Sequence, residues 1–146
     1  MSFSRTFQLR WSDADANGHV RHTVYPELGA EIRLAWLADG GFDWRRFEAS
    51  GIGPVLLREE IDYLREVSLG EQVAVDLEAL ALSADGEAAA RVVVLGGWLD
   101  LARRKLAVAP DALLAILRDA PRAAGFEELP PLRRKGDQLG ISRSRD

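Results

Sequence analysis

Residues 23–41 read TVYPELGAEIRLAWLADGG, and this stretch decides the fold. Thr23 is a good N-cap residue. Pro26 falls in the first turn, where no backbone N–H is needed, and Gly40-Gly41 supplies a stop. Between these signals the sequence predicts a helix from near Thr23 to about Ala38. Val24, Tyr25, Leu28, Ile32, Leu34, Ala35, Trp36 and Leu37 cover most of its circumference. A surface helix has one apolar stripe, so this one is expected to be buried on more than one face, wrapped by a sheet or trapped at a subunit interface.

On its N-terminal side, residues 5–11 (RTFQLRW) alternate, with Phe7, Leu9 and Trp11 opposite Thr6, Gln8 and Arg10, the pattern of a half-buried strand. A polar, turn-prone run, Ser12 to His19, joins that strand to the helix. On its C-terminal side, residues 43–50 read as a short helix before the Gly51–Pro54 turn. Strand-like stretches follow near 54–67, 71–83 and 87–101, with hairpin chemistry at Ser83-Ala84-Asp85-Gly86. The run Ala88 to Leu95 is apolar apart from Arg91, as a central strand would be. Arg103-Arg104-Lys105 reads as a hairpin tip before a short strand at 105–109, and Pro110-Asp111 opens a last helix, 110–119, with Pro at its first helical position. Strand, long helix, then four antiparallel strands make an α+β domain.

The chain has 146 residues, enough for one domain. Residues 1–120 are expected to form it, with 121–146 as a loose tail whose last part, 130–146, carries five cations (Arg133, Arg134, Lys135, Arg143 and Arg145) against two acids, Asp137 and Asp146. A net charge of −4 argues against nucleic acid as the partner. The chain has no cysteine, which excludes disulfides, thiolate metal sites and a Cys nucleophile, and its two histidines, His19 and His22, make a multi-His metal site a poor expectation. No apolar run reaches the length of a membrane span. The first residues lack a signal peptide's apolar core, so a cytoplasmic protein is expected.

The segment Trp11-Ser12-Asp13-Ala14-Asp15-Ala16-Asn17-Gly18-His19-Val20, followed by Tyr25, resembles the signature of the hotdog-fold acyl-CoA thioesterases of the 4-hydroxybenzoyl-CoA thioesterase type. The resemblance continues at Ile61-Asp62-Tyr63-Leu64-Arg65, Leu69-Gly70-Glu71 and Ala109-Pro110, in order over roughly residues 5–118. It implies a five-stranded antiparallel sheet wrapped around the long helix. It also implies a homodimer or homotetramer with sites at the subunit interface. The substrate it implies is an acyl-CoA, or an acyl carrier protein thioester, hydrolysed with no cofactor and no metal.

In the resembling enzymes the second Asp of the loop is catalytic, which places that role on Asp15. Thioester hydrolysis needs an activated water or a carboxylate nucleophile, and N–H donors for the oxyanion. Asp15 suits either role. By the same resemblance the oxyanion donor is a backbone N–H near the helix start, at His22 or Thr23. Asn17, Gly18, His19 and Tyr25 are the accompanying substrate-binding candidates, although Asn17, Gly18 and His19 are equally ordinary turn or loop-bracing residues. Asp13 reads as structural, bonding loop amides. Arg21 and His22 depart from the family pattern, which leaves the acyl preference open. Glu59 alternates onto the face of Val55, Leu57, Ile61 and Tyr63, a costly place for a carboxylate unless it is paired, functional or turned out by a bulge.

Three functions stand side by side. The first is a metal-independent acyl-CoA thioesterase. The second is a hotdog hydratase or dehydratase, whose Asp-x-Asn-Pro-x-His pattern is only approached by Asp15-Ala16-Asn17-Gly18-His19. The third is a non-catalytic acyl-CoA-binding module, because a fold does not fix a function. Trp36, Trp44 and Trp98 are candidates for bulky pocket walls, or simply for core packing.

Overall fold

The computed structural model describes residues 3–77, 81–83 and 88–122. In chain order the elements are β1 (Ser4–Gln8), a 3-10 turn (Trp11–Asp13), α1 (Val24–Asp39), α2 (Trp44–Ser50), β2 (Ile52–Tyr63), β3 (Gln72–Asp76), β4 (Ala81–Ser83), β5 (Ala88–Asp100), β6 (Lys105–Ala107) and α3 (Asp111–Arg118). All strand pairs are antiparallel, in the order β1-β3-β4-β5-β2, with β6 pairing the C-terminal end of β5. The α+β class therefore holds.

The strand count is six rather than five. The stretch expected as one strand at 71–83 folds back on itself, with Ala74 opposite Ser83 and Asp76 opposite Ala81. The apolar residues on both sides of that reversal, Val73 and Val75 before it and Ala81 and Leu82 after it, read in the sequence as one strand. Strands β4 and β5 pair as the hairpin reading requires, although its turn lies outside the described residues. Strand β5 is central as expected: β2 runs along one side, β4 and β6 share the other, and Ala89, Ala90 and Val92 are buried.

Helix α1 packs on one face of this sheet. Val24, Tyr25, Leu28 and Ile32 meet Val73, Val75, Ala89, Ala90 and Val92, with Val20 and Val67 closing the cluster. Ile32 is fully buried. In the single chain the helix keeps one exposed stripe, Glu27, Glu31, Leu34 and Ala38, at the spacing of one helical face. A second cluster, Leu37, Phe42, Phe47, Ala109 and Leu113, ties the end of α1 to α2 and α3. There Gly40 makes room for Ile116, since a Cβ on Gly40 would lie 2.9 Å from its Cγ2.

Three local expectations are corrected. Trp11 is not on the buried face of β1, because the strand ends at Gln8 and the 3-10 turn leaves Trp11 88% exposed. Thr23 stands at the N-cap of α1, but its dihedrals are already helical and its side chain caps nothing; the hydroxyl accepts a hydrogen bond from Arg21 Nη1 instead. Pro110 caps α3 rather than opening it, its carbonyl accepting the N–H groups of Leu113 and Leu114 at 2.9 Å each. The expected short helix is present as α2, where Asp43 accepts from the Arg46 N–H at 3.0 Å and Gly51 ends the helix at φ +67°. The expected tail lies outside the described residues from 123 onward.

Candidate active site

The loop between β1 and α1 is a small hairpin stitched to the core. Asp15 N–H donates to the His19 carbonyl at 2.8 Å and Gly18 N–H to the Asp15 carbonyl at 3.2 Å. Gly18 takes φ +80°, a conformation that costs an L side chain strain. The hairpin is anchored from both sides, by Val20 N–H to the Val67 carbonyl and Arg21 N–H to the Asp13 carbonyl, each 2.8 Å.

Asp13 holds the base of this loop. It is 3% exposed, and its carboxylate accepts from the Arg10 backbone N–H at 2.7 Å, from Nε at 3.2 Å and from Nη2 at 2.9 Å. The Arg10 hydrogen bond keeps the Asp13 carboxyl below the usual carboxylate range against the opposing cost of burial, with the charges of Arg10 and Arg21 adding to the effect. Asp13 is a brace, as its sequence context indicated.

Asp15 is exposed, and its Oδ1 accepts the N–H groups of Asn17 at 2.8 Å and His19 at 3.3 Å. Both bonds use Oδ1. The loop thus spends its local amides on aiming one carboxylate.

Asp15 lines an open cleft of about 320 Å³ together with Asn17, His19, Val20, His22, Tyr25, Tyr63, Leu64, Arg65 and Glu66. Tyr25 is buried on the first turn of α1 and meets Tyr63 edge-on with ring centroids 5.6 Å apart. Burial first, and then the charges of Tyr63, Asp15, Glu66 and Glu71, push the Tyr25 phenol above its ordinary range, so it remains a neutral hydroxyl. The Tyr63 hydroxyl donates to the His22 carbonyl at 3.3 Å. His19 Nε2 lies 3.1 Å from Glu66 Oε2 at the rim. Among the described residues, neither His22 N–H nor Thr23 N–H donates to a backbone carbonyl.

The cleft therefore gathers Asp15, Asn17, His19, His22 and Tyr25 of the sequence candidates. Gly18 and Thr23 stand next to it in the chain without lining it. Glu59 lies outside it. A bulge shifts the β2 register between Leu56 and Arg58, so Glu59 shares a face with Ile61 and Tyr63 but not with Val55, and it is exposed. Sequence reasoning did not name Val20, Tyr63, Leu64, Arg65 or Glu66 as site residues. The signal for Tyr63, Leu64 and Arg65 was present in the matched run at the end of β2, whereas the approach of Glu66 depends on the long-range bridge between His19 and Ser68.

None of Trp36, Trp44 and Trp98 lines the cleft; Trp98 stacks on Phe47 and Trp44 is 73% exposed. The basic hairpin tip is also remote. Asp100 sits opposite Ile52, and from there to Tyr63 the β2 strand runs about 36 Å. Among the described residues no helix is long and apolar enough to cross a membrane.

Comparison with known proteins gives the family and the fold. The sequence profile of the thioesterase-like superfamily matches residues 9–117. A Staphylococcus aureus protein solved in complex with CoA shares the fold with a TM-score of 0.76 at 18% identity, over 90% of this chain and 96% of its own. A 1,4-dihydroxy-2-naphthoyl-CoA thioesterase from Synechocystis gives 0.71 at 20% identity, over 82% and 97% of the two chains. A thioesterase-superfamily protein from Jannaschia gives 0.72 at 18% identity, over 82% and 92%. No curated protein matches the sequence.

Proposed function

The chain belongs to the thioesterase-like superfamily, and on that premise we propose that it hydrolyses an acyl-CoA thioester to the free acid and CoA, with Asp15 as the catalytic carboxylate. The observation that carries this reading is the placement of Asp15 in one cleft with the start of α1. The CoA held by the Staphylococcus aureus structure supports the choice of carrier.

The chemistry follows from the chain's own groups. A thioester carbonyl seated beside Asp15 meets either a water from which Asp15 removes a proton or the carboxylate itself as nucleophile. Charge then builds on the carbonyl oxygen, and a backbone N–H not engaged elsewhere is the donor suited to receive it. Of the two expected donors, His22 lines the cleft and Thr23 does not. The Tyr63 hydroxyl bond to the His22 carbonyl pins the His22–Thr23 peptide, whose trans geometry turns the Thr23 N–H away from Tyr63. The His22 N–H is accordingly the oxyanion donor in this account. The thiolate leaves without a strong general acid, and in the nucleophilic route a water then hydrolyses the acyl–Asp15 anhydride to release the acid. The start of α1 favours negative charge at this point.

Assembly belongs to the same reading. The outer edge of β2, twelve residues long, pairs with no strand among the described residues, and Leu56, Tyr63 and Leu64 on or next to it are 50%, 51% and 56% exposed. An unpaired edge of that length is a template for another strand. A second copy of this chain pairing there gives a homodimer in which α1 is the helix the sheet curls around and Leu34 faces protein rather than water.

The test is thiol release by the wild-type protein from a panel of short, long and aromatic acyl-CoAs. Release above the uncatalysed rate is expected on at least one acyl class. Acyl-CoA binding without release on any of them would overturn hydrolysis and assign a non-catalytic binding module.

A further inference from the structure

Two phenols meet at the start of α1, and one of them is already spent. The Tyr63 hydroxyl donates to the His22 carbonyl at 3.3 Å. Its ring stands edge-on to the ring of Tyr25, with centroids 5.6 Å apart, and to that of His22, at 6.4 Å. The Tyr25 hydroxyl, by contrast, makes no hydrogen bond among the described residues. Tyr25 is 4% exposed, yet it lines the cleft together with Asp15 and His22. Buried phenols ordinarily find a partner. An unbonded one in the wall of a cleft is suited to an acceptor that arrives with the substrate.

The helix explains why the phenol sits there. Tyr25 is the second residue of α1, and helical Cα–Cβ bonds lean toward the N-terminus. Its side chain therefore covers the turn before its own Cα, where the His22–Thr23 peptide stands. The ring contact with Tyr63, itself bonded to the His22 carbonyl, keeps Tyr25 at that corner. The charge of Asp15 acts on the phenol, yet no hydrogen bond joins the two side chains, so they are separate walls of one cleft. Burial is the main reason the phenol keeps its proton, which makes it a donor across the working pH range.

We propose that the Tyr25 hydroxyl is a second oxyanion donor, joining the His22 N–H on the thioester carbonyl oxygen as the tetrahedral intermediate forms. This rests on the thioesterase reading of the cleft and adds a catalytic side chain to it. As a water oxygen or the Asp15 carboxylate bonds to the carbonyl carbon, the C=O π pair moves onto the oxygen. The phenol meets that charge with a hydrogen bond and keeps its own proton. The pair returns to the carbonyl when the C–S bond breaks and the thiolate leaves. A donor of this kind tightens as the charge builds, so it raises kcat more than it lowers KM.

The experiment compares wild type with Tyr25→Phe, which deletes the hydroxyl and keeps the ring. Thiol release is measured on the acyl-CoA that the wild type cleaves best. Two analogues of that substrate are then titrated by calorimetry. A trifluoromethyl ketone, whose hydrate carries the tetrahedral centre and an oxyanion, stands for the intermediate; a thioether, which has no carbonyl, reports ground-state binding alone. Tyr25→Phe should lower kcat by about 10- to 100-fold, the range of a hydrogen bond to a charged group, with KM changed far less. Affinity for the ketone should fall by the same factor, and affinity for the thioether should hold. Because the hydroxyl has no protein partner, its loss should leave Tm within a few degrees. A kcat within about twofold of wild type would overturn the proposal, since that is less than one net hydrogen bond supplies. Equal losses on ketone and thioether would also overturn it, by making Tyr25 an anchor for the bound acyl group. So would a lowered Tm with ketone affinity intact, which would make the hydroxyl a brace of the fold. Failure of hydrolysis itself is distinct: wild type binds the thioether and releases no thiol from any acyl-CoA, before any variant is compared.

Discussion

Replacing Asp13 by alanine tests whether the loop that carries Asp15 is braced as described. The substitution removes three acceptor contacts, to Arg10 N–H at 2.7 Å, Nε at 3.2 Å and Nη2 at 2.9 Å. The Arg10 side chain is 66% exposed and can rehydrate, so its share of the loss is small, about 0–1 kcal/mol. The backbone N–H of Arg10 is left without its acceptor, at about 1–3 kcal/mol. The total expected is about 1–4 kcal/mol, or a fall in Tm of about 2–16 °C for a domain of this size. Urea unfolding and calorimetry at pH 7 measure it. The pH dependence adds a signed check. Asp13 is depressed in the folded state, so its contribution is present above its unfolded value of about 3.9 and is lost as the pH falls through the lower folded value. The stability gap between wild type and Asp13→Ala should therefore be full at neutral pH and shrink in acid. A gap below about 0.5 kcal/mol at pH 7, or one that does not shrink below about pH 3, would refute the brace.

Ile32→Ala, at a fully buried position between α1 and the sheet, should cost about 2–5 kcal/mol in denaturant unfolding. Gly40→Ala forces a methyl to within 2.9 Å of Ile116 and should cost about 1–3 kcal/mol by loosening α3 from the end of α1, read as lowered Tm with thioester turnover retained. Tyr63→Phe deletes the hydroxyl that pins the His22 carbonyl; stability should change by no more than about 1 kcal/mol, while kcat falls several-fold because the His22 N–H is less well aimed.

The element order was legible because its punctuation is strong. Thr23, Pro26 and Gly40 bounded α1, Asp43 and Gly51 bounded α2, and the apolar run from Ala88 marked a strand paired on both sides. What was illegible depends on tertiary partners. The reversal between β3 and β4 hides inside continuous apolar patterning, and the bulge near Leu57, which sets where Glu59 sits, leaves no mark in the alternation. Thr23 carries a capping residue's chemistry but finds Arg21 closer than its own helix amides. The near half of the cleft was readable from one loop, Asp15 to Tyr25. Its far half, Tyr63 to Glu66, is brought in by the Val20–Val67 and His19–Ser68 contacts, whose sequence separation no local pattern encodes.

The most direct test of the central claim is single-turnover thiol release by Asp15→Asn on whichever acyl-CoA the wild type cleaves best, with fold and oligomeric state checked in parallel. Asparagine keeps the Oδ1 acceptor that Asn17 and His19 use, so the loop should stand and substrate affinity should change little. Loss of a base or nucleophile is expected to slow the chemical step by at least about 10²–10⁴-fold. A variant that folds, binds and still releases thiol within a few-fold of wild type would remove Asp15 from the chemistry and contradict the account.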